Sequence, residues 1–193
     1  VDQDIRSQTP EEVSLGRMSP LVKLEPHHLS AKRPLTRRFG ILQMTSKGKL
    51  KIHSIDDFSA SGVNPATSVS EKLRHDSIDD LLSLIDGMAN LGHKATLLKA
   101  DFKGAYRACP IDPQDEHLCD VLVWNPHDGH YYVTNQRALP FGAVASVYGW
   151  ERLGSALTAI LRWIGLAILR YVDDLFLAVP PALGTSPGRS SPR

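Results

Sequence analysis

In the run GKLKIHSIDDF, within residues 47–58, apolar Leu50, Ile52 and Ile55 alternate with polar neighbours, which predicts a half-buried strand. The next stretch, SASGVNPATS, carries Gly62, Asn64 and Pro65 and reads as a loop. Ile78, Leu81, Leu82, Ile85 and Met88 then recur at helical spacing behind Asp76 and Ser77, either of which can cap the helix. Asn90 and Gly92 end it. A short apolar run over residues 95–100 closes on Asp101 and predicts a buried strand with a carboxylate at its C-terminal end. Residues 118–124 and 131–137 flank NPHDG, the pattern of a hairpin. A long helix is expected over residues 143–163, with Val147, Leu153, Leu157, Ile160 and Ile164 in its apolar stripe and Gly149 and Gly154 weakening it. Two further apolar runs, 166–171 and 175–179, are separated only by Val172, Asp173 and Asp174. The first thirty residues mix Pro10, Pro20 and Pro26 with polar runs and show no clean period, so an extended arm is expected there.

With 193 residues, 42% hydrophobic and 22% charged, the composition is that of a globular chain and excludes wholesale disorder. No stretch approaches the roughly 18 apolar residues of a membrane span, and no signal-peptide core opens the chain. Cys109 and Cys119 are too few for a disulfide scaffold or a four-thiolate zinc site, so an intracellular, reducing compartment is expected. His27 with His28, and His127 with His130, lack further ligands at zinc-like spacing and are read as loop histidines. The net charge of +1 conceals a segregation: residues 17–53 hold nine Lys or Arg against one Glu, and residues 54–92 hold two against seven acidic residues. A basic arm ahead of an acidic middle suits either an unevenly charged surface or a protein that grips a polyanion.

The chemistry centres on YVDDLFLAV, residues 171–179. Asp is depleted in strands, and two adjacent ones between β-formers read either as an exposed turn or as a functional pair. Asp101 ends another apolar strand. If that strand lies beside the hairpin, three carboxylates crowd together, and two unit charges about 4 Å apart repel by roughly 4 kcal/mol at an effective dielectric of 20. Protons or divalent cations would neutralise such a cluster. Hard oxygen ligands point to Mg²⁺ or Mn²⁺, and a pair of such ions about 3.5–4 Å apart suits in-line phosphoryl displacement.

Four blocks, in order, resemble the fingers and palm of the reverse transcriptases of retroelements and retroviruses: KIHSIDDFSASGVN at 51–64, DFKGAY at 101–106, LPFGAVAS at 139–146 and YVDD at 171–174. The resemblance implies an α+β right-hand polymerase palm, an antiparallel sheet with helices packed on one face, together with fingers. Its implied division is an arm at 1–30, fingers at 31–96 and 112–140, palm at 97–111 and 141–180, and an unstructured tail at 181–193. The implied activity is RNA-directed DNA synthesis, adding dNTPs to a primer 3′-hydroxyl on an RNA or DNA template-primer, with two Mg²⁺ or Mn²⁺ ions. Asp101, Asp173 and Asp174 would be the catalytic carboxylates and metal ligands, with the Phe102 carbonyl completing a metal shell. Phe102, Lys103, Tyr106, Phe141, Gly142, Lys51 and His53 would contact the nucleotide. Tyr106 stands where the family places the ring that excludes a ribose 2′-hydroxyl, and Phe141 in LPFG is similar to retrotransposon enzymes. Arg33, Arg37, Arg38 and Tyr171 are candidates for nucleic-acid contact, the arginines equally well read as solvated.

Two departures bear on activity. His53 stands where the family commonly has an arginine, and an imidazole cannot fork onto phosphate oxygens, although Lys47, Lys49 and Lys51 lie nearby. The resemblance also ends at Pro180, with no match to the later palm blocks or the thumb, so a C-terminally incomplete palm is expected. The alternatives are an inactive remnant that at most binds nucleic acid, and an RNA-dependent RNA polymerase. Tyr106 stands against the latter, where those enzymes usually carry an acidic residue.

Overall fold

The alternation at 47–58 becomes β3 (Leu50–Asp56), antiparallel to β2 (Leu35–Met44) in a register that sets Arg38 opposite Asp56 and Met44 opposite Leu50. The structure is a computed structural model and describes residues 2–29, 33–44 and 48–181; Lys47 and the tail from 182 onward lie outside the described residues. The chain divides into two compact units: residues up to 71 with 104–150, and residues 72–103 with those from 151 on. Both mix helices and strands, so the α+β expectation holds at that level.

In the first unit β2 runs parallel to β5 (Asp120–Asn125), which forms the expected hairpin with β6 (His130–Asn135). A short strand, β1 (Val22–Lys23), adds to the far side of β6, giving the order β1-β6-β5-β2-β3. Val121, Val123 and Val133 of the hairpin pack with Met18 and Phe58 as the core. Strand β2 has no clear sequence signature because two adjacent arginines and a glycine interrupt its alternation. Pairing explains the interruption. Arg38 lies inside and forks onto Asp56, Nε to Oδ1 at 2.7 Å and Nη2 to Oδ2 at 2.9 Å, and Gln136 donates to the same carboxylate at 2.6 Å. Asp56 is therefore part of the framework of this unit.

The expected extended arm is instead α1 (Asp2–Ser14), with Pro10 inside it. Local propensity disfavours an interior proline, and tertiary contacts hold the helix in its place. Gln8 donates to Ile52 O at 3.2 Å, Thr9 is buried, and Glu12 accepts from Arg107 Nη2 at 2.6 Å. Burial lowers the Arg107 pKa, with Glu12 acting in the opposite sense.

The loop at 59–67 contains one helical turn, α2 (Val63–Ala66), and Asn64 clamps it to the LPFG turn. Its Nδ2 donates to Gly142 O at 2.9 Å and its Oδ1 accepts from Val144 N at 2.8 Å. Gly142 has φ +94°, and a Cβ there would sit 2.6 Å from the Asp56 carbonyl oxygen. Gly142→Ala should therefore cost roughly 3 kcal/mol, from backbone strain plus overpacking. At Gly149 the nearest atom is the end of a flexible Leu139 side chain at 3.0 Å. Urea midpoints should separate the two alanine variants; equal losses would contradict the assignment.

In the second unit α3 (Ile78–Asn90) starts where the sequence places it, with Ser77 Oγ accepting from Asp80 N at 3.3 Å. Hydrogen bonds from Ser77, backbone first, hold the Asp80 carboxyl below its usual range. Residues 72–96, expected among the fingers, belong to this unit. Its sheet has the order β4-β8-β7, from β4 (Thr96–Asp101), β8 (Asp174–Val179) and β7 (Ile168–Tyr171), all antiparallel. Strand β4 is exposed from Leu97 to Asp101, contrary to the expected burial, because among the described elements only its neighbour β8 packs closely against it.

Helix α4 (Val144–Trp163) starts in the first unit and ends in the second. Its buried positions include Trp150, Glu151, Gly154 and Thr158, whereas Leu153, Ile160 and Ile164 of the predicted stripe are exposed. Glu151 and Gly154 accommodate a buried arginine, while Val147 and Leu157 of the predicted stripe are half-buried.

Neither cysteine is in a disulfide, and burial pushes both thiols up, Cys119 to about 12. At pH 8 iodoacetamide should leave both unmodified in the native chain and label both in guanidinium. Because the Cys119 pKa is raised in the fold from 9.0, its contribution is full below pH 9 and is lost as pH rises towards about 12. Rapid native labelling of Cys119 at pH 8 would contradict this.

Candidate catalytic carboxylate site

Strand pairing brings the carboxylates together. Asp101 lies opposite Asp174 across β4 and β8, and Tyr171 lies opposite Asp174 across β7 and β8. Since side chains alternate along a strand, Lys99, Asp101, Asp174, Phe176 and Tyr171 share one face of the sheet. Ala100, Leu175, Ile168 and Arg170 share the other. Phe102 N donates to Asp173 O at 3.2 Å, which ties the end of β4 to the hairpin turn. The sequence expectation that Asp101 converges with the aspartate pair thus holds in the backbone register.

The turn itself is strained. Val172 has φ +55°, and no other described non-glycine residue has positive φ. Positive φ at the first of two loop residues alone is the type II′ pattern, a place glycine normally takes. A β-branched residue there costs of order 1–3 kcal/mol. Arg170 over-determines the turn from the opposite face: its Nη1 donates to Val172 O at 2.7 Å and its Nη2 to Glu151 Oε1 at 2.8 Å and Ser155 Oγ at 3.0 Å. A Cβ on Gly154 would lie 2.9 Å from this guanidinium, so the glycine makes the space for it.

On the carboxylate face, Lys99 Nζ lies 2.7 Å from Asp174 Oδ2 and 5.7 Å from the centre of the Phe176 ring. The Lys99 amine is pushed up, first by its hydrogen bond to Asp174, and by the charges of Asp174, Asp101 and Asp173. Among the described residues, no three His, Cys, Asp or Glu side chains are arranged to close around an ion. The donor types nevertheless fit a hard cation: three carboxylates at one sheet end beside the Phe102 backbone, all oxygen donors of the kind Mg²⁺ and Mn²⁺ take. An ammonium occupies Asp174 in this arrangement.

The first unit gathers a second set of the sequence candidates. Lys51, His53 and Phe141 line a cavity of about 440 Å³ together with Arg38, Arg107 and Gln136. The Tyr106 ring lies 5.3 Å from Phe141 and 6.2 Å from Trp150. Gly142 forms the turn beside Phe141. In the second unit Lys103 is exposed just after β4, and Tyr171 is exposed with its ring 5.5 Å from that of His75. Arg38 is a correction to the nucleic-acid candidates, because its guanidinium is buried and committed to Asp56. Arg33 forks onto Asp120 at 2.8 and 3.1 Å, which raises its pKa, and Arg37 is exposed.

Sequence reasoning missed Lys99, Arg170 and Gln136. Lys99 was legible in principle, two positions before Asp101 and so on its face. Gln136 carried no signal; it is 2% exposed and its Oε1 is without a hydrogen-bond partner among the described residues. No family model and no curated protein matches the chain. No helix among the described residues is long and apolar enough to cross a membrane.

Proposed function

We propose that the chain is the palm and fingers portion of an RNA-directed DNA polymerase, which transfers a deoxynucleotide to a primer 3′-hydroxyl. The observation that carries this reading is the register that sets Asp101 against Asp174 and beside Asp173 at one end of a three-stranded sheet. Asp101, Asp173 and Asp174 would hold divalent ions. Bound there, Mg²⁺ or Mn²⁺ supplies charge neutralisation for the primer oxygen and the leaving phosphates. The strained turn, buttressed by Arg170, keeps the aspartate pair at the sheet end. In the first unit Lys51 and His53 offer cationic or hydrogen-bonding contacts to phosphate, and Tyr106 against Phe141 offers a rigid aromatic wall suited to sugar selection.

The test is extension of a DNA primer on an RNA template by the purified chain with dNTPs, in Mg²⁺ or Mn²⁺ and in EDTA. Ion-dependent extension supports the reading. No extension, with RNA binding that weakens as salt rises, would replace it with a non-catalytic remnant. Preferential use of ribonucleotides would replace it with an RNA polymerase.

A further inference from the structure

Three carboxylates at one sheet end repel one another unless positive charge sits among them. In this chain that charge is internal. Lys99 reaches Asp174 at 2.7 Å from a position two residues before Asp101, and both lie on the face that carries Asp174. Its side chain is 57% exposed and its Nζ stands 5.7 Å over the centre of the Phe176 ring, so the ammonium can leave towards solvent without disrupting a core. An ammonium and a divalent ion on the same carboxylate repel one another, at a given distance by about twice the repulsion of two unit charges, so the two compete for Asp174.

We propose that Lys99 is a built-in counter-cation of the carboxylate site, occupying Asp174 in the absence of divalent ions and swinging aside when Asp174 ligates one. The inference rests on the metal-binding reading above and deepens it, by naming the group that sets metal affinity. A passive surface ion pair would leave metal affinity untouched.

The experiment is a titration of the whole chain with Mn²⁺, following free Mn²⁺ by electron paramagnetic resonance, with thermal melts in parallel. Lys99→Met should tighten Mn²⁺ binding about tenfold or more, since only the competitor is lost. It should also lower the melting temperature of the metal-free chain and gain more from added Mn²⁺ than the wild type. Lys99→Arg keeps the charge and should bind Mn²⁺ within about threefold of wild type. Equal or weaker binding by Lys99→Met, alongside measurable wild-type binding abolished by Asp101→Asn, would overturn the role of Lys99 and leave the catalytic reading standing. No Mn²⁺ binding by wild type, Lys99→Met or Lys99→Arg at millimolar metal would overturn both.

Discussion

Exchanging Asp173 for asparagine should lower ion-dependent primer extension by about a thousandfold or more, while the chain melts within about 0.5 kcal/mol of wild type. The two halves of this expectation come from different atoms of one residue. The backbone carbonyl of Asp173 accepts from Phe102 N, and the exchange leaves it unchanged. Asparagine is also at home in turns. The carboxylate charge alone is lost, and a ligand charge is worth several kcal/mol of transition-state stabilisation, at about 1.4 kcal/mol per tenfold in rate. Extension kept within tenfold of wild type, with the melt unchanged, would remove Asp173 from the catalytic set. An equal loss of stability and activity would instead make its role structural.

Replacing Arg170 with methionine should destabilise the second unit by about 3–5 kcal/mol, the usual cost of removing one partner from a buried ion pair. Arg170 is 3% exposed and Glu151 9%, so the orphaned carboxylate cannot reach bulk water without movement. Its other oxygen faces His75 Nδ1 at 3.3 Å, which offers only a partial replacement. The same change removes the donor to Val172 O and frees the turn to relax its positive φ. Adding Glu151→Gln should recover a good part of the loss, because the unpaired charge then disappears. Denaturant midpoints of the two single variants and the double variant measure this. Strict additivity would show that the pair is not coupled.

Elements whose own pattern matches their environment were legible in the sequence. The hairpin around Asp173 was legible because two apolar runs leave only a turn between them, and α3 because apolar residues at helical spacing follow Asp76 and Ser77, either able to cap it. Strand β2 was not, since Arg38 faces inward to a carboxylate that pairing alone supplies. Helix α1 contradicts its local signal at Pro10 and depends on contacts with Ile52 and Arg107, which lie far along the chain. In α4 part of the periodic apolar stripe, Val147 and Leu157, is half-buried as expected. Leu153 and Ile160 face outward instead, and the buried places beside them go to Glu151 and Gly154, which meet the Arg170 guanidinium. For the site, the three aspartates could be read from their strand ends, but the ammonium among them follows only from which face Lys99 occupies.

The pleat of β4 also limits how the gene for such a chain can change. Adding or removing one residue between Thr96 and Asp101, with the pairing to β8 kept, would turn the last carboxylate to the side of Arg170. Removing two would keep the side but draw the carboxylate back by about 7 Å. Insertions and deletions compatible with the site are therefore confined to connections such as residues 126–129, where chain can be added without shifting any strand.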